Sequence, residues 1–193
     1  MTEQKGPGCL PPQVDTSFFL LVNGAHSPIV DDVMLLASAV GRAGFVWWTT
    51  ALMAMVFPRR RMAAFRLILA VALAYRLVDG FIKPVVGRER PFDVVVDARL
   101  IDQRPVTSSF PSGHTAAAFA GALAAGRLFP RARLAWWLLA AGIALSRIYL
   151  GAHWPTDVLA GAALGLAVGW WVLGGRAVRP PTRGAAAQAP ATP

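Results

Sequence analysis

Apolar residues in this chain fall in blocks separated by short polar stretches. A helix needs about 20 mostly apolar residues to cross a bilayer. Five stretches approach that length: 42–57, 62–82, 113–129, 134–150 and 155–174. Pro58 with Arg59, Arg60 and Arg61 ends the first sharply. The second carries Arg66, Tyr75, Arg76 and Asp79, so one of its faces must look into protein or the headgroup region. Asp79 and Arg76 read as an ion pair or a packing contact. The last three are rich in Ala, Gly and Leu, and small residues let membrane helices approach closely. Trp136, Trp137, Trp154, Trp170 and Trp171 lie near segment ends, where interfacial aromatic anchors sit.

The N-terminal part has a different rhythm. Phe18 to Val22 is a short apolar run, and Asp31 and Asp32 precede another from Val33 to Leu36. Neither can span alone, which predicts two interfacial or partly inserted helices, with His26 in a loop between them. No basic stretch leads into a small-residue cleavage site, so a cleaved signal peptide is not expected. Residues 176–193 are mostly Pro, Ala, Thr and Arg and are expected to form a disordered cytoplasmic tail. The expectation is an all-α, polytopic membrane bundle of about five spans plus N-terminal interfacial helices, in a single domain over residues 1–175.

Composition agrees. The 193 residues are 55% hydrophobic and only 15% charged, where a soluble domain carries about a quarter. The net charge of +9 does not point to nucleic acid, because the arginines lie between apolar blocks and form no stripe. Cys9 is the only cysteine, which excludes a disulfide framework or a thiolate metal site within one chain.

Charge sets an orientation. Arg59, Arg60, Arg61 and Arg66, then Arg127, Arg131 and Arg133, then Arg176, Arg179 and Arg183 alternate onto one side, which the positive-inside rule makes cytoplasmic. The segment from Lys83 to Pro111 and the turn from Ser146 to Pro155 then share the outer face. Lys83, Arg88, Arg90, Arg99, Arg104 and Arg147 also lie there, against the rule, and an anionic ligand accounts for them.

The chemistry of that face suits phosphate. Arg90 and Arg147 offer guanidinium forks that match phosphate oxygens, and Lys83 adds a compact charge. Pro111-Ser112-Gly113-His114 opens the third span; Ser112 can cap the helix and Gly113 lets backbone N–H groups approach an anion. Pro155 suits a first helical turn, placing His153 just outside the fifth span and Asp157 just inside. Asp157 can then hold one imidazole nitrogen of His153 and leave the other as nucleophile. His114 can protonate the leaving oxygen and then activate water. Each residue also has a plainer role as snorkelling charge, cap or loop tie. His114, His153 and Asp157 together could instead ligate a metal, although three cations beside it would repel one.

The three pieces resemble the type 2 phosphatidic acid phosphatase superfamily. Lys83, six residues, then Arg90-Pro91; Pro111 to His114; and Ser146-Arg147, five residues, His153, three residues, Asp157 match its motifs without a gap or substitution. The resemblance implies a metal-independent, cofactor-free lipid phosphatase working through a phosphohistidine. It implies His153 as nucleophile, Asp157 as its partner and His114 as acid and base. Lys83, Arg90, Ser112, Gly113 and Arg147 are implied as the phosphate-binding set. A bacterial inner membrane, with the site facing the periplasm or exterior, and a lipid phosphate or diphosphate partner follow. Undecaprenyl diphosphate is the first choice of substrate. Lipid A, phosphatidylglycerol phosphate, a phosphotransferase reaction and a non-enzymatic lipid binder are the alternatives.

Overall fold

The computed structural model describes residues 13–175, so the expected 176–193 tail lies outside the described residues. The described part is all-α. Helices α1 (Gln13–Asn23) and α2 (Pro28–Gly41) come first. They are followed by α3 (Phe45–Met55) and α4 (Arg61–Leu77). Two single-turn helices, α5 (Lys83–Val86) and α6 (Pro91–Val94), precede α7 (Gly113–Leu128), α8 (Arg133–Tyr149) and α9 (Pro155–Val172). A π-helical turn over Val78–Ile82 joins α4 to α5.

The five apolar blocks each became a helix; α3, α4, α7 and α9 are shorter than their blocks, and α8 matches its block in length. Among the described residues, α9 alone is long and apolar enough by itself to cross a membrane. Helices α4, α7 and α8 run 17, 16 and 17 residues, or about 25 Å at 1.5 Å per residue.

Helix α7 is the central post, packed against α4, α8 and α9, with twelve of its sixteen residues buried. Its Ala-rich sequence has no amphipathic stripe because it meets neighbours all round. The outer helices are apolar on the opposite side as well: Leu52, Met53, Phe65, Leu69, Leu138 and Leu159 are exposed. An apolar exterior over a small-residue interior is the inverse of a soluble bundle, and hydrocarbon is the solvent that suits it. Trp170 and Trp171 are exposed as interfacial anchors should be. Trp154 is not such an anchor: it is 1% exposed, stacks on Phe19 and donates its Nε1–H to the Glu89 carbonyl.

The α7–α9 seam sets how tightly the bundle closes. A Cβ at Gly165 would lie 2.2 Å from the Ala116 carbonyl oxygen, and one at Gly161 would lie 2.5 Å from that of Ser112. Backbone cannot swing aside as a side chain can. Gly165→Ala should therefore destabilise by roughly 1–3 kcal/mol, as overpacking does. Gly142→Ala in α8 meets nothing within 4 Å and should be neutral or gain up to about 1 kcal/mol of helix propensity. Melting temperatures of the two variants in detergent check the contrast.

Candidate active site

The seam ends at a cavity of about 200 Å³ lined by Lys83, Arg90, Gly113, His114, Arg147 and His153, with Tyr75, Asp79, Pro105 and Thr107. Four separate elements deliver these groups. The π-helical turn and the start of α5 bring Asp79 and Lys83, the 87–112 connection brings Arg90, α7 begins with Gly113 and His114, and the α8 end and α8–α9 turn bring Arg147 and His153.

Ser112 and Asp157 lie immediately behind the cavity, both fully buried. Ser112 is the N-cap of α7: its Oγ accepts from the Thr115 N–H, and its own N–H donates to the Asp157 carbonyl. The Ser112 amide is therefore engaged, and the helix start faces the cavity through Gly113 and His114.

The cations are not equivalent. Arg147 donates through Nη1 to Ser38 and to Asp102 (3.1 Å), while its buried Nε has no partner. That leaves one guanidinium edge for an anion. Arg90 turns its N–H groups to the Thr107, Ala152 and Ser108 carbonyls at 2.6–3.2 Å, with Nη1 3.5 Å from His153 Nε2. It organises the loop and brings its charge beside His153. Burial and the nearby Arg147 charge lower its pKa to about 10. Lys83 pairs with Asp79 at 2.5 Å. Burial, partly offset by Asp79, holds its ammonium below the ordinary lysine range.

The expected Asp79–Arg76 pair is thus replaced by Asp79–Lys83, because the π-helical turn rotates Asp79 to the cavity while Arg76 stays exposed. The arginines of these connections are also not all held for a ligand. Arg88 is bound by Asp15 and Asp157 at 2.7 and 2.6 Å, and Arg104 by Asp93 at 2.5 Å. His26 contacts Asp31 at 3.1 Å and stacks on Tyr149, away from the cavity.

His153 is 2% exposed, with Nδ1 3.6 Å from Asp157 Oδ2. That is too long for a hydrogen bond, and Nδ1 has no other partner. Asp157 is itself pinned by the Ser109 hydroxyl, the Trp154 N–H at 2.9 Å and Arg88. Burial, with Arg90 and Arg147 adding to it and Asp157 opposing, lowers the His153 pKa to about 4. The ring is neutral at pH 7, as a nucleophile requires. The sign of the linkage follows: the stability from burying a neutral ring is complete above the ordinary pKa of 6.5 and is lost as pH falls towards 4.

The alternative of His114, His153 and Asp157 as metal ligands finds no support, since no group of three such side chains among the described residues is placed to hold a metal. Sequence reading also missed the supporting groups. Asp15, Ser38, Asp102, Thr107 and Ser109 act from outside the three motifs, and Thr156 from one of the unspecified positions within the third. The available signal was scarcity: the chain has only ten acidic residues, and buried ones must have partners.

A family model described as the PAP2 superfamily matches residues 63–179, the region that holds all three motifs. The chain belongs to the PAP2 superfamily. It is a membrane lipid phosphatase of that superfamily, a metal-independent hydrolase. The undecaprenyl-diphosphatase of Sulfolobus acidocaldarius is 31% identical over 78% of this chain and 73% of that protein. The lipid A 4′-phosphatase of Porphyromonas gingivalis is 31% identical over 83% of this chain and 72% of its own length. In three dimensions this PAP2 protein is similar to Aquifex aeolicus LpxE, with TM-score 0.72, 28% identity, and 84% and 96% of the two chains covered. It is also similar to the transmembrane PAP2-type phosphatidylglycerolphosphate phosphatase of Bacillus subtilis, with TM-score 0.70, 25% identity and 83% of each chain covered.

Proposed function

We propose that this protein hydrolyses a lipid diphosphate, with undecaprenyl diphosphate as its preferred substrate, through a phosphohistidine on His153. The observation that carries the reading is the cavity itself, where the cations of Lys83, Arg90 and Arg147 and the imidazoles of His114 and His153 converge.

His153 Nε2 faces the cation side while Nδ1 faces Asp157, so Nε2 attacks the terminal phosphorus. The bond from phosphorus to the bridging oxygen breaks as the nitrogen–phosphorus bond forms. His114 gives its proton to the leaving lipid monophosphate. It then takes a proton from water, which attacks the phosphohistidine and releases inorganic phosphate. Fixed charges on the non-bridging oxygens supply most of the acceleration, because they need no rearrangement as charge develops. Arg147 offers its unpartnered edge, Gly113 the start of α7, and Lys83 and Arg90 their charge; Ser112 holds the helix end in place.

The diphosphate preference is supported by the number of cations and by the likeness to an undecaprenyl-diphosphatase. Five helices at the five apolar blocks act as spans, α1 and α2 lie at or in the outer interface, and the cavity opens on the outer face. The arginine-rich connections at the opposite end support that orientation.

The test is inorganic phosphate release by the purified protein in detergent with chelator. The panel holds undecaprenyl diphosphate, phosphatidylglycerol phosphate, phosphatidic acid, diacylglycerol diphosphate and lipid A. Undecaprenyl diphosphate should give the highest kcat/KM, and a monophosphate ahead of both diphosphates would overturn the preference. Vanadate mimics the trigonal-bipyramidal phosphoryl group and should inhibit competitively, since transition-state mimics bind at least about 100-fold tighter than substrate.

A further inference from the structure

We propose that Asp15, on α1, is a positioning residue for the phosphoryl-transfer site, acting through Arg88 and Thr156 on the Asp157–His153 pair. The inference rests on the reading of His153 as nucleophile and extends the site to a helix outside the three motifs.

Asp15 is 3% exposed in the first turn of α1. A buried carboxylate is costly unless donors surround it, and this one has three. Arg88 Nη2 donates at 2.7 Å, the Thr156 N–H at 3.0 Å and the Thr156 hydroxyl at 2.6 Å. The Thr156 amide belongs to the first turn of α9, where N–H groups lack partners within the helix. Asp15 therefore caps α9 from another part of the chain, one residue before Asp157.

Arg88 completes the link. Its Nη1 donates to Asp157 Oδ1 at 2.6 Å and to the Thr156 hydroxyl at 2.7 Å, and its guanidinium lies over the Trp154 ring. One guanidinium thus bridges two buried carboxylates. Paired with Arg88 alone, Asp157 would be neutralised and would pull weakly on the imidazole. With Asp15 sharing the same cation, the three groups keep one net negative charge beside His153. That charge is useful when the ring becomes positive on attacking phosphorus. Arg90 and Arg147 oppose it from the other side, with Lys83 and His114 across the cavity.

Docking of α1 does not rest on this ion pair alone. Phe19 is fully buried on the same helix and stacks on Trp154 at 5.4 Å. A buried ion pair is also weak support for stability, because desolvation offsets the attraction. Positioning is the role left for the charge.

The experiment compares wild type with Asp15→Asn, Asp15→Glu, Arg88→Lys and His153→Ala as full-length protein in detergent. Phosphate release is followed on whichever lipid of the panel above the wild type turns over fastest, beside melting temperatures. Asp15→Asn keeps the shape and removes the charge. Its kcat should fall on the order of 10–100-fold, the scale seen when the outer partner that orients a metal-ligating histidine is lost, with KM within about threefold. Asp15→Glu restores the charge and should recover most of kcat. Arg88→Lys cannot bridge two carboxylates with one planar fork and should fall as Asp15→Asn does, which covers the case of an unfolded Asn variant. Wild-type kcat in a folded Asp15→Asn protein overturns the proposal, as does equal loss in Asn and Glu variants that tracks the folded fraction. Retained activity in His153→Ala would instead remove the reading of the site beneath it.

Discussion

Replacing His153 with alanine is expected to stop phosphate release from whichever lipid the wild type turns over fastest, lowering kcat by about 10⁴–10⁶-fold, the scale seen when a nucleophile is removed. The protein should stay folded, because the neutral ring makes no hydrogen bond through Nδ1, which lies 3.6 Å from Asp157 Oδ2. Brief reaction with lipid carrying labelled terminal phosphate, followed by alkaline denaturation, should trap label on wild type and none on the variant. Label remaining on His153→Ala would move the nucleophile elsewhere. His114→Ala should separate the steps, since loss of an acid–base group costs about 10²–10⁴-fold and leaves the attacking nitrogen in place.

Asp157→Asn is expected to cost nearly as much, about 10³–10⁴-fold in kcat, with substrate binding little changed. The reason is the crowd of donors around the carboxylate. Arg88 Nη1 lies 2.6 Å from Oδ1, while the Trp154 N–H donates to Oδ2 at 2.9 Å. An asparagine that gives its oxygen to Arg88 turns its NH2 towards Trp154 and His153. The NH2 then donates to Nδ1, which forces the proton onto Nε2 and removes the lone pair proposed to attack phosphorus. The flipped asparagine sets donor against donor at Arg88. Steady-state kinetics with the melting temperature as control decide the matter; a kcat within tenfold of wild type would show that Asp157 only caps α9.

Much of this site was visible along the chain. Pro155 placed the start of α9 between His153 and Asp157, and Ser112 marked the start of α7, because caps and prolines act over a few residues. The five apolar blocks located α3, α4, α7, α8 and α9 for a similar reason: burial of successive turns is a local property of composition. What was misread depended on rotation or distance. Asp79 changed partner from Arg76 to Lys83 because a π-helical turn shifts the helix phase. Trp154 read as an interfacial anchor yet is buried against Phe19, more than a hundred residues away in sequence. Arg88 read as a ligand for an anion and is instead held by two carboxylates.

By itself, the sequence determined the class of protein and marked, in three short motifs, residues that the fold gathers around one cavity. Hydropathy, motif spacing and residue type are intrinsic to the chain, and phosphate chemistry has few solutions. Tertiary structure alone decided how those residues are used. It turned Arg90 to backbone carbonyls, left one edge of Arg147 open, and tied Asp157 through Arg88 to Asp15. Those outcomes follow from which donors and acceptors meet at low dielectric, where each buried polar group takes a partner from whatever element packs beside it. Such partners come from distant segments, so no local pattern encodes them.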